Sequence, residues 1–146
     1  MLVVGVADAA TPGEVALLKG VNAARVAGAT CGRQAWPGRA AFRPRVDLNR
    51  VAKAQALVVA RSGRVTHEDA SGAGSRERVF ATGLPAGAAS ENVYLGFRGG
   101  WARALEWWMR DRVHCENVMQ GRYVWVGVGS ATGKYGTAWV LVFAGP

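Results

Sequence analysis

Two cysteines, two histidines and three lysines are all that this chain of 146 residues holds of those types, and what the sequence lacks excludes several classes of function. Cys31 and Cys115 stand 84 positions apart and neither belongs to a Cys-x-x-Cys pair, which excludes a zinc knuckle. None of Ser62, Ser71, Ser75, Ser90 and Ser130 sits in a Gly-x-Ser-x-Gly elbow, so no serine stands in a recognisable nucleophile context. Gly127-x-Gly129 and Gly133-x-x-Gly136 are not a dinucleotide fingerprint, because no helix pattern follows a strand there; they read as β turns and close packing. No stretch approaches 18 uninterrupted apolar residues, so no membrane span is expected. Internal repeats and low-complexity segments are absent as well.

Acidic residues are also few. Ten Asp and Glu face eighteen Lys and Arg, for a net charge of +8. Such a balance suits nucleic acid, an anionic membrane or an acidic cell wall. The arginines are scattered (Arg33, Arg39, Arg43, Arg45, Arg61, Arg64, Arg76, Arg98, Arg122) rather than gathered in a run, with the densest group between Arg39 and Arg50. That spread argues for a solvated basic surface and against a dedicated nucleic-acid site.

What is present describes one folded domain. Hydrophobic residues make up 50% of the chain and charged ones 19%, which argues against disorder. A chain of this length buries roughly 68–70% of its unfolded surface. Residues 1–10 hold a short apolar run followed by Ala7-x-Ala9, without a basic leading region. This reads as the remnant of a secretory signal, with an edge strand or a frayed end as the alternative. Residues 11–146 then form the single domain.

Thr11-Pro12 with Glu14 three residues on predicts a capping box and a helix through Leu17, Leu18, Val21, Asn22 and Arg25, ended by Gly28. Residues 29–46 read as a loop. A second helix is expected from an N-cap at Asp47 to Gly63, with Leu48, Val51, Ala52, Gln55, Ala56 and Val59 on one face. A polar, Gly-rich loop over 64–74 carries His67. A short helix over 75–81, a strand over 90–95 and one helix over 99–112 follow, the last with Trp101, Leu105, Trp108 and Met109 facing inward. Two strands, 122–130 and 137–144, close the chain. This order predicts an α+β fold in which helices cover a small antiparallel sheet.

The stretch Trp107-Trp108-Met109-Arg110-Asp111-Arg112-Val113-His114-Cys115-Glu116-Asn117-Val118-Met119 sets a His beside a Cys at the end of an aromatic-rich helix. Glu91 and His67 lie upstream. Two imidazoles and a carboxylate suit catalytic Zn²⁺ or another divalent metal. They equally suit acid–base work near neutral pH. Spacing alone does not bring the three together. His114 as a helix C-cap, and Glu91 as a structural partner of His or backbone groups, are the plainer readings. The tryptophans read mainly as core, with Trp107 as a candidate for an apolar groove if it faces solvent.

An ordered set of motifs runs through the chain: Leu18-x-x-Val21-Asn22-x-x-Arg25, Leu48-x3-Ala52-x3-Ala56, His67, Arg78-x4-Gly83 and Glu91-Asn92-Val93-x2-Gly96. It continues with Trp108-Met109-x4-His114-Cys115-x-Asn117-Val118-Met119, Gly127-Val128-Gly129 and Trp139-x3-Phe143. From Leu18 to Ala144 this resembles the bacterial SCP-like branch of the CAP superfamily (cysteine-rich secretory proteins, antigen 5 and pathogenesis-related proteins). The resemblance implies an α-β-α sandwich, a cleft shared by His67, Glu91 and His114, and a Cys31–Cys115 disulfide, for which two buried free thiols are the alternative. Two positions depart from the pattern. Gln55 stands where many relatives carry a His, and Trp139-Val140-Leu141-Val142-Phe143 stands where the last strand often reads Trp-Thr-Gln-Val-Phe.

These readings converge on a secreted or periplasmic, non-enzymatic binding module whose His/Glu cleft takes a divalent metal or a small ligand. Its partner is an anionic cell-envelope polymer or an apolar small molecule. The alternatives are a metal-assisted hydrolase with His67, Glu91 and His114 as its catalytic groups, and an envelope-interaction protein with a vestigial cleft.

Overall fold

The structure, a computed structural model, describes residues 9–146. Most of the segment read as a signal remnant therefore lies outside the described residues. In chain order the elements are α1 (Pro12–Ala27), β1 (Ala29–Cys31), β2 (Gln34–Trp36), β3 (Arg43–Pro44), α2 (Val46–Ser62), α3 (Ser75–Phe80), β4 (Ala88–Gly96), α4 (Gly100–Arg110), α5 (Arg112–Met119), β5 (Trp125–Gly133) and β6 (Gly136–Gly145).

The first helix begins as its sequence dictates. Thr11 accepts from the Glu14 N–H at 3.2 Å and Glu14 Oε2 accepts from the Thr11 N–H at 3.4 Å, closing the capping box. The second helix begins two residues earlier than expected. Arg45 is its N-cap and contributes no side-chain bond, while Asp47, inside the first turn, accepts from the Leu48 N–H and binds Arg45 through both oxygens. A carboxylate there still complements the helix dipole. Part of the expected loop over 29–46 is a β1–β2 hairpin.

The main sheet has the strand order β3-β5-β6-β4. Its long strands pair antiparallel, but the two-residue edge strand β3 runs parallel to β5, so the sheet is mixed rather than wholly antiparallel. Pro44 is tolerated there because the flanking Arg43 and Arg45 N–H groups make the bonds to Val124 and Val126.

Side chains alternate across the sheet and divide the core in two. Val126, Val128, Trp139, Leu141 and Phe143 pack with α1, α4 and α5. Val93, Ala138, Val140, Val142 and Ala144 pack with α2 and α3. The result is an α-β-α sandwich. Helix α2 lies so close to β5 that a Cβ on Gly127 would stand 2.2 Å from the Leu48 carbonyl carbon, and one on Gly129 would stand 2.3 Å from the Lys53 nitrogen. The alternate glycines are therefore a packing requirement, as their position in an otherwise Val-rich strand indicated.

The expected helix over 99–112 is two helices. Asp111 leaves the helical conformation (φ −93°, ψ 127°), ends α4 and caps α5, its Oδ2 accepting from the His114 N–H at 3.2 Å. Asp is a preferred N-cap, and this one outweighs the apolar periodicity running through it. His114 consequently lies in the first turn of a new helix and is not a C-terminal cap. Asp111→Ala is expected to cost about 1 kcal/mol, a fall in Tm of roughly 2–4 °C. The hydrogen bond from His114 holds the Asp111 carboxyl below its ordinary value. Its stabilisation is thus complete above about pH 4 and is lost as pH falls through the lower folded-state value. Thermal melts of both proteins should converge in that acid range; a difference unchanged down to pH 2 would contradict the ionised cap.

Cys31 and Cys115 form a disulfide with a Cα separation of 5.4 Å. It ties β1 to α5 inside the α1/α4/α5 half of the core.

Candidate functional site

His67 lies in the loop between α2 and α3, and three residues fix its place. Gly63, in the left-handed region at φ 70°, ends α2. Gln55, fully buried on α2, then donates to the carbonyls of Thr66 (2.8 Å) and Glu68 (3.1 Å), the residues on either side of His67. From α3, Arg78 donates through Nη2 to the His67 carbonyl at 2.9 Å and through Nε to the Ala73 carbonyl at 3.3 Å. Gln55, which stands where many relatives carry a His, is an anchor of the loop.

Glu91 rises from β4 on the same face. Its side chain is 1% exposed, and Val142 is its partner across the strands. A buried carboxylate in apolar surroundings requires compensation. Oε2 accepts from Arg78 Nη1 at 2.9 Å and Oε1 lies 3.1 Å from His67 Nδ1. Both carboxylate oxygens are thus engaged. The His67 side chain is 54% exposed, so with Nδ1 held by Glu91 its Nε2 is the group presented outward.

His114 does not join this pair. Consecutive strand residues point to opposite faces. Glu91 faces α2 and α3, whereas Asn92 faces α4 and α5, where its Nδ2 donates to the His114 carbonyl at 3.1 Å and its Oδ1 accepts from Asn117 at 2.9 Å. The His114 ring pairs instead with Asp111 (Nδ1 to Oδ2, 2.5 Å) and stands 5.1 Å from the Trp107 ring, which in turn neighbours Tyr94 at 6.3 Å. Trp107 is 47% exposed, so this aromatic cluster reaches the surface.

The hydrogen bonds thus join these residues as two pairs, His67–Glu91 and His114–Asp111. Among the described residues, no group of three or more His, Cys, Asp or Glu side chains is arranged to hold a metal ion. The donor set also fits a cation poorly, because the Arg78 guanidinium occupies one Glu91 oxygen and adds positive charge beside it. Arg78, Gln55 and Asp111 were not among the site residues read from sequence. The signal for Arg78 was its place in the ordered motif series, and that for Gln55 was its standing where many relatives carry a His; Asp111 gave none beyond residue type.

Among the described residues no helix is long and apolar enough to cross a membrane. The backbone is similar to several bacterial structures. Against a cysteine-rich secretory protein from Staphylococcus aureus the TM-score is 0.68 at 18% identity, covering 92% of this chain and 38% of that one. Against an outer surface protein of Borrelia burgdorferi it is 0.63 at 17%, covering 71% and 77%. Against an extracellular SCP-domain protein of Bacillus anthracis it is 0.62 at 15%, covering 72% and 34%. At such identities the likeness establishes the fold alone, and the chain spans little more than a third of the Staphylococcus and Bacillus proteins. Among curated proteins no relative matches. The family model described as CAP, the cysteine-rich secretory protein family, matches residues 18–143, and the chain belongs to that family.

Proposed function

We propose that this chain is an exported binding module that presents the His67 imidazole to a ligand of the cell envelope and performs no hydrolysis. The observation that carries this reading is the saturation of Glu91. A metal-assisted hydrolase needs a carboxylate free to ligate an ion or to take a proton from water. Here both oxygens are committed, one to a guanidinium and one to the imidazole. The carboxylate therefore fixes the orientation of His67 and leaves one group, Nε2, to act outward. A single oriented imidazole recognises by donating or accepting a hydrogen bond.

Export is supported by the disulfide, which belongs in an oxidising compartment, and by the neighbouring structures, described as extracellular, outer-surface and secretory proteins.

Fluorescent casein incubated with the protein, with and without Zn²⁺, tests the non-enzymatic reading. No turnover above the buffer rate is expected; turnover that His67→Ala abolishes would overturn it. Binding is tested by co-sedimentation with purified bacterial cell-wall sacculi. Retention should fall severalfold in His67→Ala, and equal retention of the two proteins would remove His67 from the binding surface.

A further inference from the structure

Among the described residues, Arg25 of α1 is a buried cation without an anionic partner. It is 3% exposed, and its guanidinium donates only to main-chain carbonyls: Nε to Ala40 (2.8 Å), Nη1 to Val118 (2.7 Å) and Gln120 (3.0 Å), and Nη2 to Tyr123 (2.7 Å). The Phe42 ring lies beneath it, 3.8 Å from the guanidinium carbon to the ring centroid. Carbonyl dipoles and a ring face solvate the charge but do not cancel it. Burial and the nearby charge of Arg39 hold its pKa down to about 10. That is the direction expected where positive potential is left uncompensated.

Arg25 borders a cavity of about 480 Å³ whose wall includes Arg39, Arg43, Gly121 and Trp125 and, among the described residues, no Asp or Glu. Arg39 and Arg43 are exposed, and neither side chain has a hydrogen-bond or ion-pair partner among the described residues. Arg45, Arg78, Arg103, Arg110 and Arg112, by contrast, each face a carboxylate. Gly121 leaves the space in which Arg39 lies, since a Cβ there would stand 2.6 Å from Arg39 Nη1.

We propose that this cavity is a phosphate-binding site, in which Arg39 and Arg43 take the phosphate oxygens while buried Arg25 supplies a fixed positive field from below. Guanidinium forks match the oxygens of phosphate in pairs, and a doubly charged anion offsets the unpaired charge better than a single carboxylate. The volume exceeds what one phosphate needs and admits a chain of them. The site is separate from His67, goes beyond the reading above and does not depend on it.

Calorimetric titration with inorganic phosphate, at ionic strength held constant with NaCl, tests the site. Saturable binding is expected. The Arg39→Gln/Arg43→Gln double variant should weaken it by about tenfold or more, given what hydrogen bonds to charged groups contribute. Arg61→Gln/Arg64→Gln removes the same charge from the end of α2 remote from the cavity, and should change affinity less than about twofold, the screened long-range contribution. Equal weakening by both pairs would overturn the proposal in favour of diffuse surface charge, and so would the absence of saturable binding to the unaltered protein. Linear polyphosphate at equal phosphate concentration separates the sources: tighter binding supports the site with a repeating phosphate polymer as occupant, and equal binding supports it with free phosphate.

Discussion

Arg78→Met is expected to cost about 3–5 kcal/mol, the range for breaking a buried ion pair by removing one partner. The reason is not the loss of an attraction alone. Glu91 is 1% exposed and Arg78 9% exposed, so neither charge has water to fall back on. Without the guanidinium, the carboxylate faces Val142 and the apolar α2/α3 half of the core with one imidazole for company. Arg78 also holds the His67 and Ala73 carbonyls, and those bonds go with it. Removing both charges is a milder change, because a well-packed apolar pair often replaces a buried ion pair at little cost. Urea unfolding should therefore place Arg78→Met/Glu91→Met well above Arg78→Met in midpoint. A single variant losing less than about 1 kcal/mol, no more than an exposed pair contributes, would contradict the burial of this pair.

The second large effect concerns the disulfide. Replacing Cys31 and Cys115 together by Ala should lower stability by about 4.5 kcal/mol, from the entropy of an unfolded chain released from an 84-residue loop. At roughly 2–4 °C per kcal/mol, the fall in Tm is about 9–18 °C. Intact mass should rise by two hydrogens on reduction. Two thiols alkylated in the unreduced, folded protein would contradict the bond.

What could be read from the sequence followed locality. The Thr11–Glu14 box, the Gly28 and Gly63 stops, the α2 face and the β5–β6 turn are short-range signals, and each appears where its residues place it. The layered sandwich and the disulfide came from the ordered motif series, since neither follows from spacing alone. The α4–α5 break was missed because the apolar spacing from Trp101 to Met109 continues toward Val113 and hides a single capping Asp111. Edge strand β3 was missed because two residues carry no periodicity.

The site was half legible for a related reason. Strand alternation sends Glu91 and Asn92 to opposite faces, but sequence does not say which face His114 will meet. Nor does it show that a buried Glu91 will draw its cation from α3, or that Gln55 will steady the loop next to its histidine.

His67 is paired with Glu91 and His114 with Asp111, each ring held by its own carboxylate. Imidazole carbon–proton NMR spectra decide it, since two histidines give two ring signals that His67→Ala assigns at once. Glu91→Gln should move the His67 ring signals and leave those of His114 in place, while Asp111→Asn should do the reverse. A Glu91→Gln spectrum in which both rings shift together would contradict separate pairing and point to a single cleft.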